Sequence, residues 1–156
     1  MARSFRIPAV LLAGLAALAG CSDVVNVNPA TNAADPACAK VMIQLPQDLG
    51  GNALRDTTSQ ATAAWGDPTV AVLRCGLKPP GPTTTPCVSV NDVDWLSEDE
   101  GDHWRFTSYG RTPAVEVLIS TTDTSGQSVL NSVTPAVANL PKTGACVGTQ
   151  DADPAP

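Results

Sequence analysis

Two successive β-hairpins can be written into register between Val88 and Ile119, and nothing else in the chain restricts the fold so tightly. The first pairs residues 88–97 with 102–109 around Glu98-Asp99-Glu100-Gly101, where Gly101 supplies the positive φ that such loops require. Trp95 then faces Trp104, and Val93 faces Phe106. The second hairpin closes on Gly110-Arg111, glycine first as in a type II′ turn, and sets Phe106 opposite Val115 and Trp104 opposite Val117. The registers are independent, yet both place Val93, Trp95, Trp104, Phe106, Val115, Val117 and Ile119 on one face. Because side chains alternate across a strand, the other face carries Asp94, Arg105 and Glu116, an acid-base-acid row crossing three strands. As a solvated outer surface such a row contributes about 0.2–1 kcal/mol per pair; the sharper reading makes it a polar recognition strip.

The remaining elements are read around this sheet. Asp35-Pro36 has the form of an N-cap followed by a first helical residue, and Val41, Met42 and Leu45 share a helical face, so a short helix should end by Pro46. Residues 47–62 mix Gly50-Gly51 with Thr and Ser and read as loop. Trp65-Gly66-Asp67-Pro68 is a turn launching a strand over 69–75 that is apolar on both faces; Trp65, in that turn, is the ring best placed to line a groove. Gly76 to Pro86 holds four prolines and reads as an exposed loop. Val129, Leu130, Val133, Val137 and Leu140 recur at helical spacing behind Ser125 or Asp123 as cap, with Pro135 breaking this helix or starting a second. The acidic tail beyond Cys146 has nothing to bury and is expected to be disordered.

Ahead of all this stands a sorting signal. Arg3 and Arg6 precede an apolar run from Ile7 to Gly20, too short to span a bilayer, which needs about 20 apolar residues. Leu18-Ala19-Gly20-Cys21 is a lipobox, in which the segment before the cysteine is removed and the Cys21 thiol is acylated. Several acyl chains on one residue anchor stably, at about 0.8 kcal/mol per buried CH₂. Loss of residues 1–20 removes two arginines and takes the net charge from −6 to −8, a surface that repels nucleic acid and anionic headgroups. Ser22 to Pro36, rich in Asn, Ala, Asp and Pro, reads as a flexible tether spanning roughly 20 Å.

With Cys21 assigned to lipid, Cys38, Cys75, Cys87 and Cys146 remain. Outside the cytoplasm an even number of cysteines reads as two disulfides, with three possible connectivities. Pairing neighbours, or pairing 75 with 87 and 38 with 146, gives nearly the same loop-closure sum, roughly 8 kcal/mol, so polymer entropy does not choose. Zinc is disfavoured because no CxxC occurs.

Catalytic patterns are scarce. His103 is the single histidine; the register places it on the outer face, and no GxSxG elbow, phosphate-binding glycine loop or HExxH motif accompanies it. Asp92, Asp94, Glu98, Asp99, Glu100 and Asp102 crowd one hairpin, but an EF-hand beginning at Asp92 would need glycine where Ser97 stands. Asp94 and Glu116 do not suit a glycosidase pair, since Arg105 between them would hold both ionised.

Ala63-Ala64-Trp65-Gly66-Asp67-Pro68, Leu73-Arg74-Cys75-Gly76, Val93-Asp94-Trp95, Gly110-Arg111 and Val115-Glu116-Val117, with Leu45-Pro46 after Cys38, together resemble a family of small exported actinobacterial lipoproteins known as a domain of unknown function. The resemblance covers about residues 36–140. It implies an envelope lipoprotein without an assigned activity and no catalytic residues. It also implies a Cys38–Cys75 bridge, since those two cysteines match the family pattern, leaving Cys87 and Cys146 to pair. In place of the glycine that more often precedes Val-Asp-Trp, this chain has Asp92.

The expectation is therefore an α+β protein: an antiparallel sheet of about four strands with an N-terminal and a C-terminal helix packed on one face. Its parts are a lipoprotein signal peptide (1–20), a lipidated tether (21–36), one domain (37–147) and an acidic tail (148–156). The function expected is a non-catalytic binding or scaffold module held by lipid on Cys21 at the extracytoplasmic side of the cell membrane. It would meet an envelope protein partner, with no nucleic acid, metal or cofactor. Its candidate recognition surface is Trp65, Arg74, Asp94, Arg105, Arg111 and Glu116. The alternative is an envelope enzyme or accessory subunit acting on wall or lipid precursors through those side chains.

Overall fold

A computed structural model describes residues 24–147. The segment expected to be a signal peptide, the expected lipobox with Cys21, and the tail from 148 lie outside the described residues. In chain order the elements are α1 (Pro36–Met42), β1 (Asp48–Leu49), β2 (Asn52–Arg55), β3 (Thr62–Trp65), β4 (Ala71–Leu77), β5 (Cys87–Val90), β6 (Val93–Asp99), β7 (His103–Tyr109), β8 (Ala114–Ser120) and α2 (Gly126–Val137). The strands form one antiparallel sheet in the order β1-β2-β3-β4-β8-β7-β6-β5. The α+β expectation of about four strands is thereby overturned: the protein is mostly an eight-stranded antiparallel sheet with two short helices.

The discrepancy has local causes. The stretch read as loop between 47 and 62 contains β1 and β2, of two and four residues, too short to show a period. All four residues of β3 are buried, so no alternation betrays it. The strand expected over 88–97 is two, β5 and β6, hinged at Asn91-Asp92, where Asn91 takes φ +51°; asparagine tolerates that region better than most residues.

Both hairpin registers slip, and both slip by an even number. Trp95 pairs with Ser108 instead of Trp104, because the chain reverses at Glu100–Asp102, with the Glu100 N–H donating to the His103 carbonyl (3.0 Å). Phe106 pairs with Val117 instead of Val115, because four residues, Gly110 to Pro113, connect β7 to β8 instead of two. An even slip leaves every side chain on its face. Val93, Trp95, Phe106, Val115, Val117 and Ile119 accordingly share one core with Trp65, Ala71, Leu73, Cys75 and apolar residues of both helices. Trp104, the second residue of β7, is 37% exposed and stacks on Phe106 at 6.2 Å.

Helix α1 starts as its sequence implies, the Asp35 carboxylate accepting from the Ala37 N–H (2.8 Å) with Pro36 in the first turn. Helix α2 instead runs through Pro135. The ring sits two residues from the helix end, where it removes one hydrogen bond without interrupting a following turn. Trp65 is fully buried at the end of β3 and donates its indole N–H to the Pro46 carbonyl (2.9 Å); it lines no groove.

The chain entering α1 is not a free tether from Val24 onward. Val25 bridges Thr57 in parallel, its N–H donating to the Asp56 carbonyl (2.9 Å) and its carbonyl accepting from Thr58 (3.0 Å). Val27, Ala30 and Ala33 are buried, and the Asn32 N–H donates to the Gly76 carbonyl (2.9 Å). Gly76 takes φ +106°, and a Cβ there would lie 2.5 Å from the Asn32 backbone, so this strap needs glycine beneath it. A second strap, from Pro141 to Cys146, lies on Gly110, with Thr143 donating to the Gly110 carbonyl (2.7 Å).

Two disulfides hold the ends of these paths. Cys38 bonds to Cys75 and Cys87 to Cys146, with Cα–Cα separations of 5.6 and 6.3 Å. The first ties α1 to β4, and the second ties the C-terminal strap to β5.

Candidate functional site on the outer face of the sheet

Pairing across β3, β4, β8, β7 and β6 puts Thr62, Arg74, Glu116, Thr107 and Leu96 in one transverse row, on the face away from the core. Leu118, Arg105 and Glu98 belong to the next row. Arg74 and Glu116 are direct cross-strand partners, whereas Arg105 reaches Glu116 diagonally. Glu116 is 2% exposed and holds both guanidinium groups: Arg74 at 2.6 Å through one carboxylate oxygen and Arg105 through the other. Arg105 turns its remaining donors to Glu100, Nε at 2.7 Å and Nη2 at 2.9 Å, a bidentate pair. The outer face thus carries an acid-base chain Glu100–Arg105–Glu116–Arg74, completed where Arg74 approaches the Asn28 carbonyl of the N-terminal strap (3.5 Å).

His103 extends this chain. Its Nδ1 lies 2.6 Å from Asp102 and its Nε2 2.7 Å from Glu100, so both ring nitrogens face carboxylates. The hydrogen bond to Asp102, and then that to Glu100, raise its pKa above the ordinary 6.5 and favour the imidazolium. Hydrogen bonding from Arg105 holds Glu100 below its ordinary value, and Glu100 in turn raises Arg105.

The six residues of the expected recognition surface do not assemble. Arg74, Arg105 and Glu116 come together, but the expected acid-base-acid row is changed, because Asp94 lies opposite Tyr109 and accepts from Ser89 Oγ (2.5 Å) and the Cys146 N–H (2.8 Å). Trp65 is in the core. Arg111, 5% exposed, donates to the carbonyls of Ala138 (2.9 Å), Leu140 (2.8 Å) and Asp92 (2.5 Å). It thereby caps the C-terminal end of α2, where unpaired carbonyls accumulate, and fastens it to the β5–β6 turn. Two clefts, of about 570 and 400 Å³, are walled by Thr83–Cys87, Ser89, Leu96, Tyr109, Cys146 and Val147 and by Gly51–Asp56 with Gly66 and Asp67; neither includes any of the six.

Sequence reasoning missed Glu100 as a partner of Arg105 because the hairpin register was slipped. It missed the N-terminal strap although Val25-Asn26-Val27-Asn28 alternates with the period of a half-buried strand. No signal in the sequence marks Arg111 as a helix cap, since its acceptors lie up to 29 residues away. Among the described residues no group of three His, Cys, Asp or Glu side chains is arranged to hold a metal ion, and no helix is long and apolar enough to cross a membrane.

Fold and site together define a disulfide-stapled antiparallel sheet domain whose outer-face charges pair with one another. The chain belongs to the family described as "Protein of unknown function (DUF3515)", whose model matches residues 6–145. No curated protein and no solved structure matches it.

Proposed function

We propose that this family member is a lipid-anchored envelope protein whose domain acts as a non-catalytic binding or scaffold module outside the cytoplasmic membrane. The observation that carries the reading is the lipobox cysteine lying three residues before a domain closed by two disulfides. Disulfides persist in oxidising compartments, and acylation at Cys21 would hold such a domain there. The family match opens at residue 6 and so runs through the lipobox. On the outer face, Glu116, Arg74, Arg105 and Glu100 satisfy one another, an arrangement suited to a fixed surface more than to proton transfer. The enzyme alternative needs Trp65, Arg74, Asp94, Arg111 and Glu116 in one cavity; Arg74 and Glu116 meet, but Trp65 is in the core, Asp94 faces Cys146 and Arg111 caps α2.

Mass spectrometry of the mature N-terminus, with Cys21→Ser as control, tests the anchor: an acylated Cys21 and release of the variant from membrane fractions are expected. Crosslinking in the native envelope tests the module. Recovery of a specific protein partner is the expected result. Turnover of wall or lipid precursors by the purified domain, abolished by Glu116→Gln, would instead establish an enzyme.

A further inference from the structure

Where the chain leaves the lipobox decides which end of the domain meets the bilayer. Cys21 is three residues from Val24, a span of at most about 11 Å whatever path it takes. From Val25 the backbone is fixed to Asp56, Thr57 and Thr58 in the loop joining β2 to β3. That loop continues to Gln60 and Ala61, which form one wall of an apolar groove of about 300 Å³. The other walls are Pro36, Ala39, Met42 and Ile43 of α1 and its C-cap, with Ala33, Ala34 and Asp35 of the strap, the Asp35 carboxylate being engaged by the Ala37 N–H. The domain's exposed large apolar side chains include Val24, 52% exposed at the entry of the strap, and Ile43, 81% exposed at the groove. Single exposed apolar residues are ordinary. Two that flank the loop nearest the lipidated residue, with an apolar groove beside one of them, have an occupant within reach.

We propose that the end of the domain formed by the 56–61 loop, the entry of the strap and the Ile43 groove rests directly on the lipid bilayer, with Ile43 entering the headgroup region. The inference depends on the anchoring reading above. The occupant is a lipid surface, because the acyl chains on Cys21 bring one to within about 11 Å of Val24, and a surface already at hand needs only modest apolar contact to hold the orientation. The sheet would then run away from the membrane from β2 toward β5, presenting the acidic β6–β7 turn and Val88 at a distance.

The test uses the mature full chain on phosphatidylcholine vesicles containing brominated lipid, which quenches indoles that enter the bilayer. Ile43→Trp and Val88→Trp are each compared with the unsubstituted chain; the sites are 81% and 41% exposed, and an unchanged Tm checks that each variant keeps its packing. Lipid is supplied by cellular processing or, equally, by a lipid maleimide coupled to Cys21, so seating is read even if native acylation fails. Mass spectrometry of Cys21 scores the anchoring reading separately. The expected result is that the indole emission added by Ile43→Trp loses at least about half its intensity while that added by Val88→Trp is unchanged, as for an interfacial residue against a solvated one. Equal quenching at both positions, or at neither, on vesicle-bound protein would overturn the proposal.

Discussion

A carboxylate 2% exposed and shared by two guanidinium groups is stable only while all three remain. Glu116→Ala is expected to cost about 2 kcal/mol, less than for a fully buried pair because Arg74 and Arg105 keep some solvent contact, read from the urea midpoint. Replacing the trio together, by Arg74→Met, Arg105→Met and Glu116→Leu, is expected to return most of that loss. Arg111 behaves differently, since its partners are backbone carbonyls. Arg111→Lys keeps the charge but loses the fork that serves three acceptors, and should destabilise by about 2 kcal/mol with faster hydrogen exchange at the end of α2. His103 gives a pH signature. Its pKa is raised by Asp102 and Glu100, so its stabilising effect is complete below 6.5 and disappears as pH rises through the folded-state value. Thermal melts of the parent protein should therefore decline relative to His103→Gln as pH rises above 6.5. Glu100, lowered by Arg105, works oppositely and loses its effect on acidification below 4.5.

Among the elements, the straps depend most on single backbone positions. Gly76→Ala puts a Cβ 2.5 Å from the Asn32 backbone at φ +106°, so the N-terminal strap must lift. Amide exchange at Val25, Val27 and Asn32 should rise well before the sheet itself opens, as expected of a locally unfolding segment. How far these elements were legible in the sequence follows from the length and contrast of each pattern. Strands β4, β6, β7 and β8, seven residues each with apolar alternation or apolar runs, could be found, and their faces survived two register slips because both were even. Strands β1 to β3 could not, being short or buried on every residue. The site divided similarly. Arg105 and Glu116 were visible as an opposed pair on the outer face, whereas the bond from Arg105 to Glu100 depended on a turn position that propensity does not fix. The interior roles of Trp65 and Arg111 depended on partners distant in sequence.

Across the whole molecule, the two disulfides divide the chain into consecutive halves that meet where β4 pairs with β8. Opening the Cys38–Cys75 bridge by Cys38→Ala with Cys75→Ala removes a 37-residue constraint and is expected to cost about 4 kcal/mol, seen as a lower Tm. The 59-residue bridge between Cys87 and Cys146 has nearly the same entropic value, and its loss should also free the C-terminal strap from Gly110. Each bridge joins a cysteine to the next one along the described chain, with no crossing. A polypeptide delivered N-terminus first can therefore oxidise its thiols in order of arrival and reach the native pairing, provided the sulfur of Cys21 has been taken out of play. On the anchoring reading proposed above, oxidation in the presence of an oxidase alone, with no disulfide isomerase, is expected to give the native pairing.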